Sequence, residues 1–112
     1  MKRVPKPWGE ELWVVHNEHY ALKIITIRAG CRTSLQFHNQ KHEANYVDFG
    51  KVKTTLQDEN GKSDVQIMGP GAVVEIAPGR QHRIEALKDT RLIEVSTSHL
   101  DDVVRVEDDY GR

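Results

Sequence analysis

The stretch from Gly30 to Gly50 reads G-C-R-T-S-L-Q-F-H-N-Q-K-H-E-A-N-Y-V-D-F-G. Successive side chains of a β-strand alternate between its two faces, so Gln36 and His38 point the same way. Glu43 can return towards them from the next strand. A second imidazole can come from His82, which ends a P-G-R-Q-H turn. The spacing predicts that Gln36, His38, Glu43 and His82 converge on a divalent metal ion.

The predicted ligands suit a borderline divalent ion. Zinc accepts a mixture of imidazole, carboxylate and amide oxygen, and manganese, iron and nickel accept it too. We expect zinc and leave the other three open, because ligand identity alone separates these ions poorly.

The composition limits the classes of partner. A chain of 112 residues has room for one domain with one core, so residues 1–112 are expected to form a single domain. Its 16 Lys and Arg residues oppose 17 Asp and Glu residues, for a net charge of −1. No overall field favours nucleic acid or an anionic membrane surface, and no apolar run approaches the roughly 20 residues of a membrane span. The expected partner is a small molecule.

Two further features indicate the compartment. Cys31 is the single cysteine and cannot form an internal disulfide. The segment Met1 to Trp8 lacks the apolar stretch of a secretory signal. We therefore expect a cytoplasmic protein.

The apolar pattern predicts an all-β protein. Short runs rich in Val and Ile alternate with period two and are separated by Gly, Pro, Asn and Asp clusters. Turn chemistry at Gly50 and at Asp58 to Gly61 is suited to hairpins, and Leu100 to Val104 could form a single helical turn. So many strands in a short chain favour a closed or nearly closed antiparallel barrel or sandwich. The predicted strands are Leu12 to Val15, Tyr20 to Ile27, Ser34 to Asn39, Ala44 to Phe49, Val52 to Leu56, Val65 to Met68, Val73 to Ile76, His82 to Ala86 and Arg91 to Ser96.

Two motifs carry a resemblance to a known superfamily. The spacing G-x5-Q-x-H-x4-E-x6-G over Gly30 to Gly50 resembles the first cupin motif, with Gln36 in place of the commonest first His. The spacing G-x5-A-P-G-x2-H, from Gly71 to His82, resembles the second, with Ala77 in place of the usual Pro. The resemblance implies a single-domain cupin fold, which is a double-stranded β-helix or jelly-roll barrel.

Three further segments narrow the resemblance. These are K-P-W-G at Lys6 to Gly9, S-L-Q-F-H at Ser34 to His38 and D-D-V-V-R-V-E-D-D-Y-G-R at Asp101 to Arg112. Together they are similar to the cupin domain of type II mannose-6-phosphate isomerases, which usually follows a nucleotidyltransferase domain. The resemblance implies a metal-dependent isomerase that interconverts mannose 6-phosphate and fructose 6-phosphate. The glycine-rich nucleotide-binding loop of the transferase is absent, so we expect no guanylyltransferase activity.

The chain departs from the family in the ligand loop. Where the family typically reads Q-M-H-H-H-R-A-E-H-W, residues 36–45 read Q-F-H-N-Q-K-H-E-A-N. The candidate ligands are kept, but Ala44 and Asn45 replace a His-Trp pair, which predicts a remodelled pocket wall. Lys41 replaces Arg, which keeps the charge and loses the planar fork of the guanidinium.

An isomerase needs an acid/base group and a binding site for phosphate. The catalytic candidates are Lys23, on a strand expected to line the barrel, Glu85 near the second motif, and Arg80 in the turn before His82. Spacing does not select the proton-transfer residue among Lys23, Glu85 and Glu75. The candidate cations for the substrate are Lys41, Arg83 and Arg112.

Two other functions fit the same pattern. One is another metal-dependent cupin enzyme, such as a dioxygenase. The other is a non-catalytic cupin that binds sugar phosphates, and the altered loop keeps this alternative open. Strand edges and two tryptophans also favour a homodimer.

Overall fold

In the computed structural model of the chain, residues 1–111 are described and contain eleven β-strands. All strand pairings are antiparallel. The strands are β1 (Lys2–Lys6), β2 (Gly9–His16), β3 (Ala21–Ile27), β4 (Leu35–Phe37), β5 (Glu43–Phe49), β6 (Val52–Gln57), β7 (Ser63–Met68), β8 (Val73–Ile76), β9 (His82–Ala86), β10 (Thr90–Ser96) and β11 (Val104–Glu107).

The strands form two facing sheets. One sheet has six strands in the order β1-β2-β3-β10-β5-β8, and the other has five in the order β11-β4-β9-β6-β7. The chain crosses repeatedly between the sheets, as expected for a jelly roll. The all-β cupin fold predicted from the sequence is confirmed.

Alternation along each strand separates the core from the surface. In β3 every second residue is buried, from Ala21 through Lys23 and Ile25 to Ile27, and β10 and β9 follow the same rule. The inward-facing apolar side chains pack together between the sheets. This core contains Trp8, Ile25, Ile27, Val47, Val52, Met68, Ile84, Ala86 and Leu92.

The nine predicted strands all overlap observed strands, and two strands escaped prediction. These are β1 and β11, which lie at the outer edges of their sheets. The helical turn predicted at Leu100 to Val104 is wrong, because residues 100–101 form a non-helical turn and β11 begins at Val104. The described residues contain no helix of the length and apolar character that a membrane crossing requires.

Of the two predicted hairpins, one forms. Asp58 to Gly61 joins β6 to its neighbour β7, as expected. Gly50 instead lies where the chain leaves one sheet for the other, because β5 pairs with β10 and β8, whereas β6 pairs with β7 and β9. The hairpin predicted at Gly50 is therefore wrong.

Candidate metal centre

Three of the four predicted metal ligands meet between the sheets. His38 follows β4 directly, Glu43 begins β5 and His82 begins β9. Nε2 of His38 lies 2.9 Å from Oε1 of Glu43, and Nε2 of His82 lies 3.4 Å from the same oxygen. All three side chains are 4% exposed. Two imidazoles and one carboxylate thus share a single buried point.

Backbone carbonyls fix both histidines in the form that binds a metal. Nδ1 of His38 donates to the carbonyl of Asp102, and Nδ1 of His82 donates to the carbonyl of Arg80 over 2.9 Å. A neutral imidazole that carries its proton on Nδ1 has a lone pair on Nε2. A cation would bind both lone pairs and the Glu43 carboxylate together, in place of any Nε2 proton that hydrogen-bonds a ring to Glu43. The donor set fits a zinc-like ion with nitrogen and oxygen ligands.

Gln36 lies beside this cluster. It pairs with His82 across β4 and β9, and its side chain lines the same cavity. Its Oε1 accepts a hydrogen bond of 2.6 Å from Oγ of Ser34. An amide oxygen has a second lone pair, so the fourth-ligand role remains a prediction for Gln36.

A cavity of about 100 Å³ opens from the cluster into the space between the sheets. Its wall contains His38, Glu43 and His82 together with apolar side chains and several buried charged side chains. Lys23 and Lys41 belong to this wall, as do Glu11 and Glu94. The remaining lining residues include Lys6, Trp8, Trp13, Asn45, Leu100, Val103 and Arg105.

The buried charges form ion pairs across the inner face of the larger sheet. Nζ of Lys23 lies 3.0 Å from Glu11 and 3.9 Å from Glu94. Nζ of Lys41 lies 3.1 Å from Glu94 and 3.9 Å from Glu43. In the register of the sheet, Glu94 faces Lys23 on β3 on one side and residue 45 of β5 on the other. Two cations and the carboxyl groups of Glu11 and Glu94 thus form an ion-pair network that reaches Glu43.

Two neighbouring carboxyl groups, those of Glu43 and Glu94, have opposite pKa shifts. Burial by itself would raise the pKa of Glu43, but hydrogen bonds with Glu94, His38 and His82 outweigh it, and the pKa lies well below the usual range. Burial, together with the charge of Glu43, raises the pKa of Glu94 to about 8. Such divergence assigns one group as a carboxylate and the other as a carboxylic acid near neutral pH.

Ion pairing keeps two other side chains of the cavity wall, Lys41 and Glu11, in their charged forms. Burial opposes the charge of Lys41, yet the negative charges of Glu94 and Glu43 outweigh it and raise the pKa of Lys41. Burial likewise opposes the charge of Glu11, but Lys23 and the indole N–H of Trp13 lower its pKa. Both groups remain ionised.

Some predicted site residues lie away from the cavity. Glu85 and Arg83 alternate with His82 and Ile84 on β9, so their side chains lie on the outer face of the smaller sheet, where they line a separate surface groove. Arg83 contacts Glu107 and Thr33 there. Glu85, predicted as a catalytic residue, and Arg83, predicted to bind substrate, therefore lie outside the cavity.

Arg80 contributes its backbone rather than its side chain. The guanidinium lies 3.4 Å from Glu59 and 3.5 Å from the carbonyl of Gln57, outside the cavity, whereas the Arg80 carbonyl orients His82. Glu75 is exposed and pairs with His42 over 3.0 Å. Arg112 lies outside the described residues, so the prediction for it stays untested.

Sequence reasoning missed four charged residues of the cavity wall. Glu11 and Glu94 lie on β2 and β10, Lys6 ends β1, and Arg105 lies on β11 opposite Gln36. A signal for Glu94 was available, because it shares the inward alternation of Leu92 and Ser96 in a strand with an apolar inner face. A charged residue at an inward-facing position of a strand indicates a functional site.

Comparison with known proteins identifies the family of the chain. A family model described as mannose-6-phosphate isomerase C-terminal matches residues 1–108. The chain belongs to this family. The resemblance inferred from the motifs is thereby confirmed.

The chain has longer proteins among its relatives. It is 35% identical over 116 aligned positions to the mannose-1-phosphate guanylyltransferase ManC of Salmonella typhimurium, covering 99% of the chain and 23% of the relative. It is 32% identical to the alginate biosynthesis protein AlgA of Pseudomonas aeruginosa, covering 97% of the chain and 23% of that protein. The chain thus spans under a quarter of these relatives.

Solved structures that resemble the chain share its fold. Oxalate decarboxylase superposes with a TM-score of 0.82 at 22% identity, over 94% of this chain and 30% of that one. KdgF from Halomonas sp. superposes with a TM-score of 0.79 at 16% identity, over 90% of this chain and 91% of that one. At these identities the likeness shows the cupin fold alone.

Proposed function

We propose that this domain is a metal-dependent sugar-phosphate isomerase that interconverts mannose 6-phosphate and fructose 6-phosphate. One observation carries the proposal. The imidazoles of His38 and His82 and the carboxylate of Glu43 bring ligand atoms within 4.8 Å of one another, and these side chains line a cavity together with Lys23, Lys41 and Glu94. Family membership supports the choice of a sugar phosphate.

The metal is proposed to be held by His38, Glu43 and His82, with Gln36 as a fourth ligand. A bound divalent ion supplies Lewis acidity towards a carbonyl and its neighbouring hydroxyl. Zinc is the first choice, and manganese, iron and nickel fit the same donors.

The reaction moves one proton between two adjacent carbons. The proton leaves C2 of the aldose and is returned to C1, the oxygen on C1 gains a proton, and the hydroxyl on C2 becomes the carbonyl of the ketose. Negative charge develops on oxygen in between. Lys23 and Lys41 place two buried ammonium groups in the cavity, where such charge is stabilised more strongly than in water.

Two buried groups are candidates for the proton transfer. Lys23 was predicted from the sequence and lines the cavity, and Glu94 is added by the structure. Glu94 has the stronger case, because its pKa of about 8 lets it exist as acid or base near neutral pH. Glu85 and Arg80 carry no part of the proposed reaction, since their side chains lie outside the cavity.

Substrate phosphate needs cations at the cavity. Lys6 and Arg105 line it and take over the role first expected for Arg83. Lys41 stays a substrate-binding candidate through its position beside Glu94. The predicted cytoplasmic location and homodimer remain part of this proposal.

A coupled assay tests the function. Zinc-loaded protein, free of host isomerase, is given mannose 6-phosphate, and formation of fructose 6-phosphate is followed. His38→Ala should abolish turnover, whereas the matched control His42→Ala, which alters an exposed histidine paired with Glu75, should retain it. Zinc binding without turnover in the wild-type protein would favour a binding module or another cupin chemistry.

A further inference from the structure

The segment of residues 97–103, here named the strap, lies against the loop that carries the proposed metal ligands. The backbone N–H of Thr97 donates to the carbonyl of His42 over 3.0 Å, and Oγ1 of Thr97 accepts from the N–H of His42 over 3.2 Å. Leu100 and Val103 line the cavity itself. The strap is therefore both a neighbour of the ligand loop and a part of the cavity wall.

Asp102 fastens the strap to the loop between His38 and Glu43. Its carboxylate accepts hydrogen bonds from three consecutive backbone N–H groups, those of Asn39, Gln40 and Lys41, over 3.0, 2.6 and 2.9 Å. Consecutive N–H groups that point at one anion form a backbone nest. Asn39 and Gln40 are exposed, so little side-chain packing holds this turn.

The same residue orients a proposed ligand. The carbonyl of Asp102 accepts the Nδ1 proton of His38, 64 residues away in the chain, and so fixes the tautomer that leaves Nε2 free for a metal. One residue thus holds the ring of His38 through its carbonyl and the path of the chain towards Glu43 through its carboxylate.

We propose that Asp102 is a positioning residue that couples closure of the strap to metal binding at His38, Glu43 and His82. The proposal rests on the metal binding proposed above. Because the coupling is reciprocal, an attached strap strengthens metal binding, and a bound metal holds the strap in place. The C-terminal segment is then a functional part of the metal centre.

Measurement of metal affinity distinguishes the positioning role of Asp102 from a merely structural role. Zinc dissociation constants are measured by competition with a chromophoric chelator for the wild-type protein, Asp102→Ala and Asp102→Asn, with Asp101→Asn as a control at the exposed neighbouring position. Asp102→Ala keeps the carbonyl that accepts from His38 and removes the carboxylate that fastens the strap, so we expect zinc binding to weaken by about 10-fold, the lower end of the range of about 10–100-fold that is typical when an outer partner of a metal ligand is lost. Asn keeps one acceptor oxygen and should restore part of the affinity.

The outcomes are distinct. Weaker zinc binding in Asp102→Ala, partial recovery in Asp102→Asn and unchanged binding in Asp101→Asn support the proposal. Unchanged zinc affinity in Asp102→Ala, even with a lower free energy of unfolding, overturns it and leaves the isomerase proposal intact. Asp102-dependent zinc binding without turnover overturns only the isomerase, and a wild-type protein that binds none of the four candidate metals overturns both.

Hydrogen exchange of the wild-type protein provides a second test that needs no variant to fold. Zinc should slow amide exchange in residues 39–41 and in the strap together, because the Asp102 carboxylate joins them. The edge strand β7, which pairs only with β6 and not with β9, serves as the internal control and should not change. Slower exchange around His82 with no change in the strap would contradict the coupling.

Discussion

The Nζ atom of Lys41 lies 3.1 Å from Oε2 of Glu94, and both side chains are 5% exposed. Because Glu94 is a carboxylic acid near neutral pH, the buried ammonium group of Lys41 has an uncharged nearest partner, and burying a charge this deeply is costly. The pair adjoins Glu43, a proposed metal ligand, at the site where the proposed reaction uses charged groups. The burial of Lys41 and Glu94 at this position therefore favours a role in function rather than in stability.

Glu94→Gln should flatten the dependence of stability on pH. The pKa of Glu94 rises from 4.5 to about 8 in the folded protein through burial and the nearby charge of Glu43. The folded state thus keeps a proton that the unfolded state releases, so this stabilisation is complete below pH 4.5 and is lost as the pH rises through about 8. Glutamine has no such proton, and the variant should keep the stability that the wild-type protein loses across that window.

Urea unfolding of metal-free protein at several pH values measures this difference. The control is Glu75→Gln, which removes an exposed carboxylate outside the cavity. Parallel stability curves for Glu94→Gln and the wild-type protein would show that Glu94 does not titrate in this way. Zinc-loaded Glu94→Gln is also expected to lose turnover if Glu94 transfers the proton.

A bound metal should stabilise the fold through His38 and His82. The exposed His42 should make no contribution. A ligand present at about 100 times its dissociation constant adds about 2.7 kcal/mol to the free energy of unfolding. Zinc should therefore raise the melting temperature of the wild-type protein and of His42→Ala, and EDTA should reverse the change. Melting curves of His38→Ala and His82→Ala that still respond to zinc would place the metal elsewhere.

Thr54→Val should leave the protein as stable as the wild type or make it more stable. Oγ1 of Thr54 is buried and has no hydrogen-bond partner among residues 1–111. Replacing an unsatisfied buried hydroxyl by a methyl group removes a desolvation cost of about 1–3 kcal/mol. A fall in the urea midpoint of Thr54→Val would reveal a hydrogen bond that the hydroxyl makes, for example to an ordered water.

Gly50→Ala should be more destabilising than Gly61→Ala. Both glycines have positive φ, +100° and +79°, where a side chain costs about 1–2 kcal/mol. A Cβ at Gly61 would meet nothing within 4 Å, whereas one at Gly50 would lie 2.4 Å from Oγ1 of Thr90 and 2.5 Å from the carbonyl oxygen of Asp89. Equal losses of unfolding free energy in the two variants would contradict this close approach at the crossing between sheets.

The strands that sequence reasoning found are those whose alternation reflects a buried face. In β3 and β10, inward and outward residues differ so regularly that the pattern is visible in the sequence. The two missed strands lack this contrast. The K-R-V-P-K sequence of β1 includes Pro5, which only an edge strand tolerates, and all four residues of β11 are exposed. Their pairing with β2 and β4 depends on the completed sheets.

The contact between His38 and Glu43 was predictable, because they are only five positions apart, at the end of one strand and the start of the next. The rest of the cavity depends on register across distant strands. Lys23 and Glu94 are 71 positions apart in sequence, and antiparallel pairing of β3 with β10 brings them face to face. Glu85 failed as a candidate for a local reason, since it is an odd number of residues from His82 and so faces the other side of β9.

A nuclear magnetic resonance time course of carbon-labelled mannose 6-phosphate, run in D₂O with zinc-loaded protein, tests the central claim most directly. We predict that fructose 6-phosphate signals appear and that deuterium enters the carbon positions between which the proton moves. Glu43→Gln, which removes the shared carboxylate of the cluster, should abolish both changes. A wild-type protein with zinc bound that leaves the mannose 6-phosphate spectrum unaltered would contradict the isomerase function.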